Sequence, residues 1–150
     1  MEPVTREELG IPEGAFVVHF SFDANSSVAR KNPNAALDAF FQAFADDPDA
    51  FFVLKIRNYQ QAESLARQGD PHARGLLRRL SERPAVMLIS DDWDYPKCLG
   101  LISMADCYLS LHRSEGFGYT MAEAVKLGTP LVATRYSGIT DSIEDDCVRL

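Results

Sequence analysis

The stretch Ser110-Leu-His-Arg-Ser-Glu-Gly-Phe-Gly-Tyr-Thr-Met-Ala-Glu-Ala-Val-Lys-Leu-Gly-Thr-Pro130 places a predicted strand end, a glycine-bearing loop and a predicted helix in direct succession. The helix is predicted at 120–127, and Gly128 follows it in the position where helices favour glycine. The loop glycines let backbone N–H groups approach a ligand, and the helix start adds unpaired N–H donors. Strand, loop and helix in this order form one unit of an α/β domain.

The same alternation extends outward along the chain. Strands are predicted at residues 16–22, 51–56, 86–89, 107–111, 131–133 and 147–150, with a turn at 23–32 and helices from 33, over 60–83 and over 96–105. Apolar strands separated by helices form a parallel sheet covered on both faces. We therefore predict an α/β fold with a Rossmann-like, doubly wound parallel sheet. Ligands of such sheets bind beyond the carboxyl ends of the strands, near the loops at 23–32, 90–95 and 112–119.

Composition excludes several classes of protein. The chain has 150 residues, enough for one domain with a real core, and its 46% hydrophobic content is typical of globular proteins. A net charge of −7 leaves no diffuse basic surface for nucleic acid. Three scattered cysteines indicate neither a disulfide framework nor a zinc site. The acidic N-terminus does not resemble a signal peptide, so we predict a cytoplasmic domain.

Two carboxylates enclose the glycine-bearing loop. Glu115 precedes it and Glu123 lies on the following helix, where both could accept hydrogen bonds from sugar hydroxyls beside a phosphate at the helix start. The pattern Thr120-x-x-Glu123 also fits a capping box, in which Glu123 only satisfies donors of its own helix. Residue chemistry leaves both interpretations open.

The segment Glu115-Gly-Phe-Gly-Tyr-Thr-Met-Ala-Glu123 resembles the E-x7-E motif of the metal-independent retaining glycosyltransferases of family four, the group 1 transferases. The flanking residues 105–114 and 128–138 resemble the family's neighbouring strands and loops. Residues 20–23 and 30–33 are similar to a bacterial branch of the group that would serve polysaccharide synthesis. The resemblance implies that residues 1–150 are the C-terminal, nucleotide-sugar-binding half of a GT-B fold, a fragment of a two-domain enzyme.

The resemblance also implies roles for individual residues. Glu115 would lie near the transferred sugar, and Glu123 would accept hydrogen bonds from the ribose. Backbone N–H groups around Gly116, Phe117 and Gly118 would hold the sugar and the diphosphate. Lys31 would neutralise the departing phosphate, where negative charge builds as the glycosidic bond breaks.

The chain departs from the family pattern near the first strand. Where the family usually has Gly-Arg, this chain has Phe22-Asp23, and Asn32 replaces the usual glycine after the lysine. Arg30 or Lys55 could supply the missing cation. Arg30 could equally be a solvated loop charge, and Lys55 a strand-end lysine whose stem covers the core.

Three further residues are candidates for donor binding. His112 could contact sugar or phosphate, or could only bond a local backbone group. Trp93 and Tyr95, after the third strand, could stack on the nucleobase or pack on the surface.

We predict transfer of a sugar from a UDP- or GDP-linked donor to an unknown acceptor, with retention of configuration. No metal or other cofactor is expected, because protein cations and helix-start amides would stabilise the phosphate. The acceptor would bind an N-terminal domain outside this chain, so the fragment alone would be inactive. The full enzyme could associate peripherally with the cytoplasmic face of a membrane. The alternative is a non-catalytic module of the same fold that only binds a nucleotide or sugar.

Overall fold

The sheet is parallel throughout and has six strands. A computed structural model describes residues 1–45, 47–82, 85–142 and 148–149. The strand order is β3-β2-β1-β4-β5-β6, so the order reverses between β1 and β4. The strands are β1 Phe16–Asp23, β2 Ala50–Arg57, β3 Val86–Ile89, β4 Cys107–Ser110, β5 Leu131–Ala133 and β6 Val148–Arg149. The predicted α/β, Rossmann-like class is confirmed.

Helices cover both faces of the sheet. They are α1 Val28–Lys31, α2 Pro33–Phe44, α3 Tyr59–Arg67, α4 Pro71–Glu82, α5 Tyr95–Met104, α6 Tyr119–Leu127 and α7 Ile139–Ser142, with 3-10 turns at Glu7–Leu9 and Ala24–Ser26. Within the described residues, none of these helices has the length and apolar character needed to cross a membrane.

Successive side chains of β1 point to opposite faces of the sheet, so this strand contributes to a core cluster on each face. Phe20 belongs to a cluster of buried residues that includes Phe40 of α2 and Phe52 of β2, whose rings pack edge to face with centroids 5.3 Å apart. Val17 belongs to a second cluster with Leu101 of α5. Each fully buried side chain of this size contributes about 1.5–3 kcal/mol to folding. Both faces of the central strand are therefore anchored.

The turn predicted at 23–32 is corrected in part, because the structure places α1 there. Ser27 Oγ accepts a hydrogen bond from the Arg30 N–H at 3.4 Å and caps this short helix. Asn32 ends it with a left-handed backbone, φ 55°. Asparagine adopts this conformation more readily than most residues, which explains how it replaces the glycine expected after Lys31. A helix of one turn carries no apolar periodicity, so the sequence pattern could not reveal it.

Candidate active site

A cavity of about 770 Å³ opens at the carboxyl ends of β1, β2 and β3. Its walls include Ser21 and Asp23 from β1 and Lys55 from β2, together with the first turns of α5 and α6. The volume lies within the roughly 300–1,000 Å³ of small-molecule sites. The cavity is also at the edge of the sheet where ligands of doubly wound folds bind, beside the reversal of strand order.

Three residues with predicted catalytic roles meet at this reversal, between the loops that follow β1 and β4. Lys31 Nζ donates to Glu115 Oε2, and Arg30 Nη1 lies 3.5 Å from Glu115 Oε1. Arg30 Nη1 also donates to the carbonyl oxygen of Ser114 at 2.8 Å. Lys31 lines the cavity, whereas Arg30 is directed along the loop that carries Glu115. One carboxylate is therefore held by two cations.

Backbone contacts hold these two loops together independently of the ion pairs. The Arg113 N–H donates to the Arg30 carbonyl at 2.9 Å. Asn32 Nδ2 donates to the Leu111 carbonyl at 2.8 Å. The position of Lys31 relative to Glu115 is thus set by the backbone, and a ligand meets an arrangement that is already ordered.

The Glu115 carboxylate is stabilised in its charged form. Partial burial alone would raise the pKa of Glu115, but the hydrogen bond and charge of Lys31, the charge of Arg30 and the Gly116 N–H together lower it below its ordinary value. Glu115 is therefore ionised at neutral pH and is suited to accept hydrogen bonds rather than to donate a proton.

This lowered pKa predicts how stability depends on pH. A group with a depressed folded-state pKa stabilises the protein above its unfolded pKa, and this contribution is lost as the pH falls through the folded value. We expect Glu115→Gln to unfold at a lower temperature than the wild type at pH 7, with the difference shrinking below the ordinary value of 4.5. Thermal unfolding followed by circular dichroism from pH 7 to pH 3 measures this difference. A difference that grows in acid would contradict the assignment.

Glu123 lines the same cavity as Lys31. It accepts a hydrogen bond at Oε1 from the Tyr95 hydroxyl at 2.8 Å, which links α6 to the start of α5. The bond to Glu123 raises the pKa of Tyr95, so the phenol remains protonated. The capping-box interpretation is wrong, because α6 begins at Tyr119 after Gly118, which has φ 76° and no side-chain cap. The Glu123 carboxylate is consequently available to the cavity.

The backbone of the glycine-bearing loop is supported from below by the loop after β5. The Gly138 N–H donates to the Glu115 carbonyl at 3.0 Å, and Ser137 Oγ donates to the same oxygen at 2.6 Å. A Cβ atom on Gly138 would lie 1.4 Å from the Gly116 carbonyl oxygen. Only glycine allows the two backbones to approach so closely.

This close approach predicts a large effect of Gly138→Ala. The added methyl group must displace the 115–116 backbone, and overpacking of this kind costs about 1–3 kcal/mol. We therefore expect the melting temperature to fall by several degrees, at roughly 2–4 °C for each kcal/mol. Gly14→Ala is the matched control, because a Cβ there meets nothing within 4 Å. Equal melting temperatures for the two variants would show that the loops are not packed in this way.

Comparison with known proteins shows which family the chain resembles. The family model for "Glycosyl transferases group 1" matches residues 80–148. Over these residues the chain is similar to the group 1 glycosyltransferases. It is 31% identical, over an alignment of 153 residues, to D-inositol 3-phosphate glycosyltransferase 2 of Catenulispora acidiphila, covering 93% of this chain and 32% of that protein. The chain spans about a third of the length of the curated glycosyltransferases of this name.

Solved structures show the same fold. The C-terminal domain of a glycosyl transferase group 1 family protein (LpcC) from Francisella tularensis has a TM-score of 0.68 at 16% identity, covering 93% of this chain and 68% of that one. Anabaena HepE, solved in complex with UDP-glucose, has a TM-score of 0.63 at 23% identity, covering 93% of this chain and 35% of that one. These likenesses confirm that the chain has the fold of one GT-B domain.

The remaining predicted site residues of this domain differ in their placement. Lys55 lines the cavity but is only 5% exposed, and its Nζ donates to the Asp91 carbonyl at 2.6 Å. The ring nitrogens of His112 lie 3.2 Å from Ser110 Oγ and 3.2 Å from the Tyr136 carbonyl oxygen, and its predicted donor contact stays a prediction. His112 is also not among the residues that line the cavity.

The glycine loop itself stands beside the cavity. Gly116, Phe117 and Gly118 are not among its lining residues, whereas the adjoining Tyr119 and Thr120 are. Phe117 is 53% exposed, and its ring packs against that of Tyr119 with centroids 4.8 Å apart. The role predicted for the backbone at 116–118 stays a prediction.

Sequence reasoning missed several polar groups of the cavity. His19 and Ser21 line it from β1, and Arg57 lines it from the end of β2. The Tyr108 hydroxyl lies 3.0 Å from Ser21 Oγ, within hydrogen-bond distance, and orients that side chain. The available signal was the run His19, Ser21, Asp23, in which polar residues follow one another on one face of an otherwise apolar strand.

Proposed function

We propose that the cavity binds a nucleoside-diphosphate sugar and that this domain provides the donor side of a retaining glycosyl transfer. The observation that carries the proposal is the placement of Lys31, which lines the cavity while paired with Glu115 at the reversal of strand order. A cation placed there can meet the charge that develops on a departing diphosphate.

The cavity offers further cationic groups for a diphosphate. Arg57 has an exposed side chain whose nearest ion-pair contact is Asp92 at 3.9 Å, a separation too long for a hydrogen bond. Lys55 also lines the cavity, where its Nζ donates to the Asp91 carbonyl. Arg30 acts differently, because its guanidinium holds the Glu115 loop. We therefore propose that Lys31 contacts the departing diphosphate. Lys55 and Arg57 would add positive electrostatic potential around it.

The carboxylates of Glu115 and Glu123 would bind different parts of the donor. Glu115 lies next to Lys31, so its oxygens would face the transferred sugar, which is joined to the phosphate that Lys31 meets. Glu123 lines the same cavity from α6 and would accept hydrogen bonds from ribose hydroxyls. Because protein cations neutralise the phosphates, transfer would need neither a metal nor another cofactor.

The donor would be a nucleotide sugar, and uracil is the first base to test. Anabaena HepE, which shares the fold, was solved with UDP-glucose bound. The acceptor would bind a second, N-terminal domain facing this cavity. A non-catalytic module that only binds the nucleotide sugar is the second candidate, favoured by a cavity formed within this one domain.

Calorimetric titration of the chain with UDP, GDP, UDP-glucose and GDP-mannose tests the binding proposal. We expect saturable binding of either the UDP compounds or the GDP compounds. Arg57→Ala should weaken this binding. Arg67→Ala, a control on α3 outside the cavity, should leave it unchanged. No binding of any of the four would overturn the proposal. Release of nucleotide from the bound donor by the two-domain protein separates an enzyme from a binding module.

A further inference from the structure

His19 is a buried polar residue that lines the cavity. It lies in the middle of β1, and its side chain is on the same face of the strand as Ser21 and Asp23. The residue is only 1% exposed. A polar ring so deep in the protein is costly unless its nitrogens find partners.

Among the residues that the structure describes, one nitrogen of His19 has a hydrogen-bond partner. Nδ1 lies 2.9 Å from the carbonyl oxygen of Val53, and because a carbonyl can only accept, Nδ1 carries the proton. Nε2 of the neutral ring is then an acceptor, and we find no hydrogen-bond partner for it among the described residues. Burial lowers the pKa of His19 to about 4, opposed by the Val53 bond and assisted by the charge of Lys55. The ring is therefore neutral at physiological pH.

The cavity wall beside His19 combines apolar side chains with the amine of Lys55, which stands opposite Ser21 in strand register. Leu101 and Ile102 of α5 line the cavity and are 1% and 2% exposed, which makes this part of the wall apolar. Arg57 pairs with Asp23, which is four residues after His19 on β1. At the rise of a β-strand, this pair lies about 13 Å from His19 along the strand. Apolar side chains with a few fixed polar groups are typical of sites that orient a ligand by hydrogen bonds, and the apolar part of this wall suits a nucleoside.

We propose that Nε2 of His19 accepts a hydrogen bond from the nucleoside part of the bound donor, which makes His19 a specificity-determining residue of the cavity. This inference rests on the proposed function. Two groups have the required chemistry, namely a nucleobase N–H and a ribose hydroxyl. A ligand that presents neither leaves a desolvated acceptor unpaired, which is the basis of strong discrimination.

Binding measurements on two variants test the inference. We expect His19→Leu to raise the Kd for the preferred nucleoside diphosphate about five- to tenfold, the value of one net hydrogen bond. His19→Gln retains an acceptor oxygen and should recover part of the affinity. His72→Gln, on α4 and outside the cavity, is the matched control. With UDP as ligand, 3-methyl-UDP and 2′-deoxy-UDP separate the base from the ribose, since the modification that removes the donor group weakens the wild type but not His19→Leu.

Nitrogen NMR of the wild type tests the same contact without a substitution, in case His19→Leu fails to fold. In chain labelled with 15N-histidine, saturation with nucleotide should move the Nε2 resonance of His19 and leave His72 in place. Saturable binding with an unmoved His19 resonance, or a folded His19→Leu that binds like the wild type, overturns this inference alone. A wild type that binds no nucleotide overturns the proposed function and this inference with it.

Discussion

Replacing Lys31 by alanine is expected to reduce glycosyl transfer about 100- to 1000-fold, the range seen when one group that stabilises developing charge is removed. Lys31 lines the cavity and contacts Glu115, so the variant loses its cation and leaves a partly buried carboxylate opposite the diphosphate. Both changes raise the energy of the transition state. Release of nucleotide from the donor by the proposed two-domain protein measures the effect.

The size of this effect is interpretable only with controls for charge and for folding. Lys126→Ala removes an exposed lysine from the end of α6 and should leave the rate unchanged. Lys31→Arg keeps the positive charge and should retain more activity than Lys31→Ala. Transfer by Lys31→Ala within threefold of the wild type would exclude Lys31 from the departing phosphate.

The layout of the sheet could be predicted because its signals are local. Apolar runs at 86–89 and 131–133 match β3 and β5, and Gly128 ends α6 in a left-handed conformation as its position indicated. The short helix α1 escaped prediction because four residues show no periodicity. Its boundaries depend instead on the Ser27 cap and the left-handed Asn32, which only backbone geometry reveals.

The site was predictable only where function depends on a contiguous motif. Lys31 and Glu115 are 84 residues apart, and no local pattern indicates that they touch. Their pairing was available through family resemblance, since α/β topology brings the loops after β1 and β4 together. His19 was missed because a single histidine in an apolar strand is indistinguishable from a core residue until the cavity beside it is known. Whether His112 faces a ligand or a backbone carbonyl likewise depends on packing between separate elements.

Replacing Glu123 by alanine is expected to raise the donor Kd about 10- to 150-fold. Hydrogen bonds to a charged acceptor contribute about 1.5–3 kcal/mol each, and every 1.4 kcal/mol is a factor of ten. Because α6 is preceded by Gly118 and receives no cap from Glu123, the melting temperature should change little. Calorimetry with the nucleotide sugar and thermal unfolding measure the two quantities separately.

Tyr95→Phe is the matched control for this prediction. It removes the hydroxyl that donates to Glu123 Oε1 but leaves the carboxylate in place. We expect the donor Kd to rise only two- to threefold, because the exposed phenol orients the carboxylate but the carboxylate itself would accept the hydrogen bonds of the donor. If Glu123→Ala bound donor like the wild type, the carboxylate would serve only to join α6 to α5, and Tyr95→Phe should then lower the melting temperature as much as Glu123→Ala does.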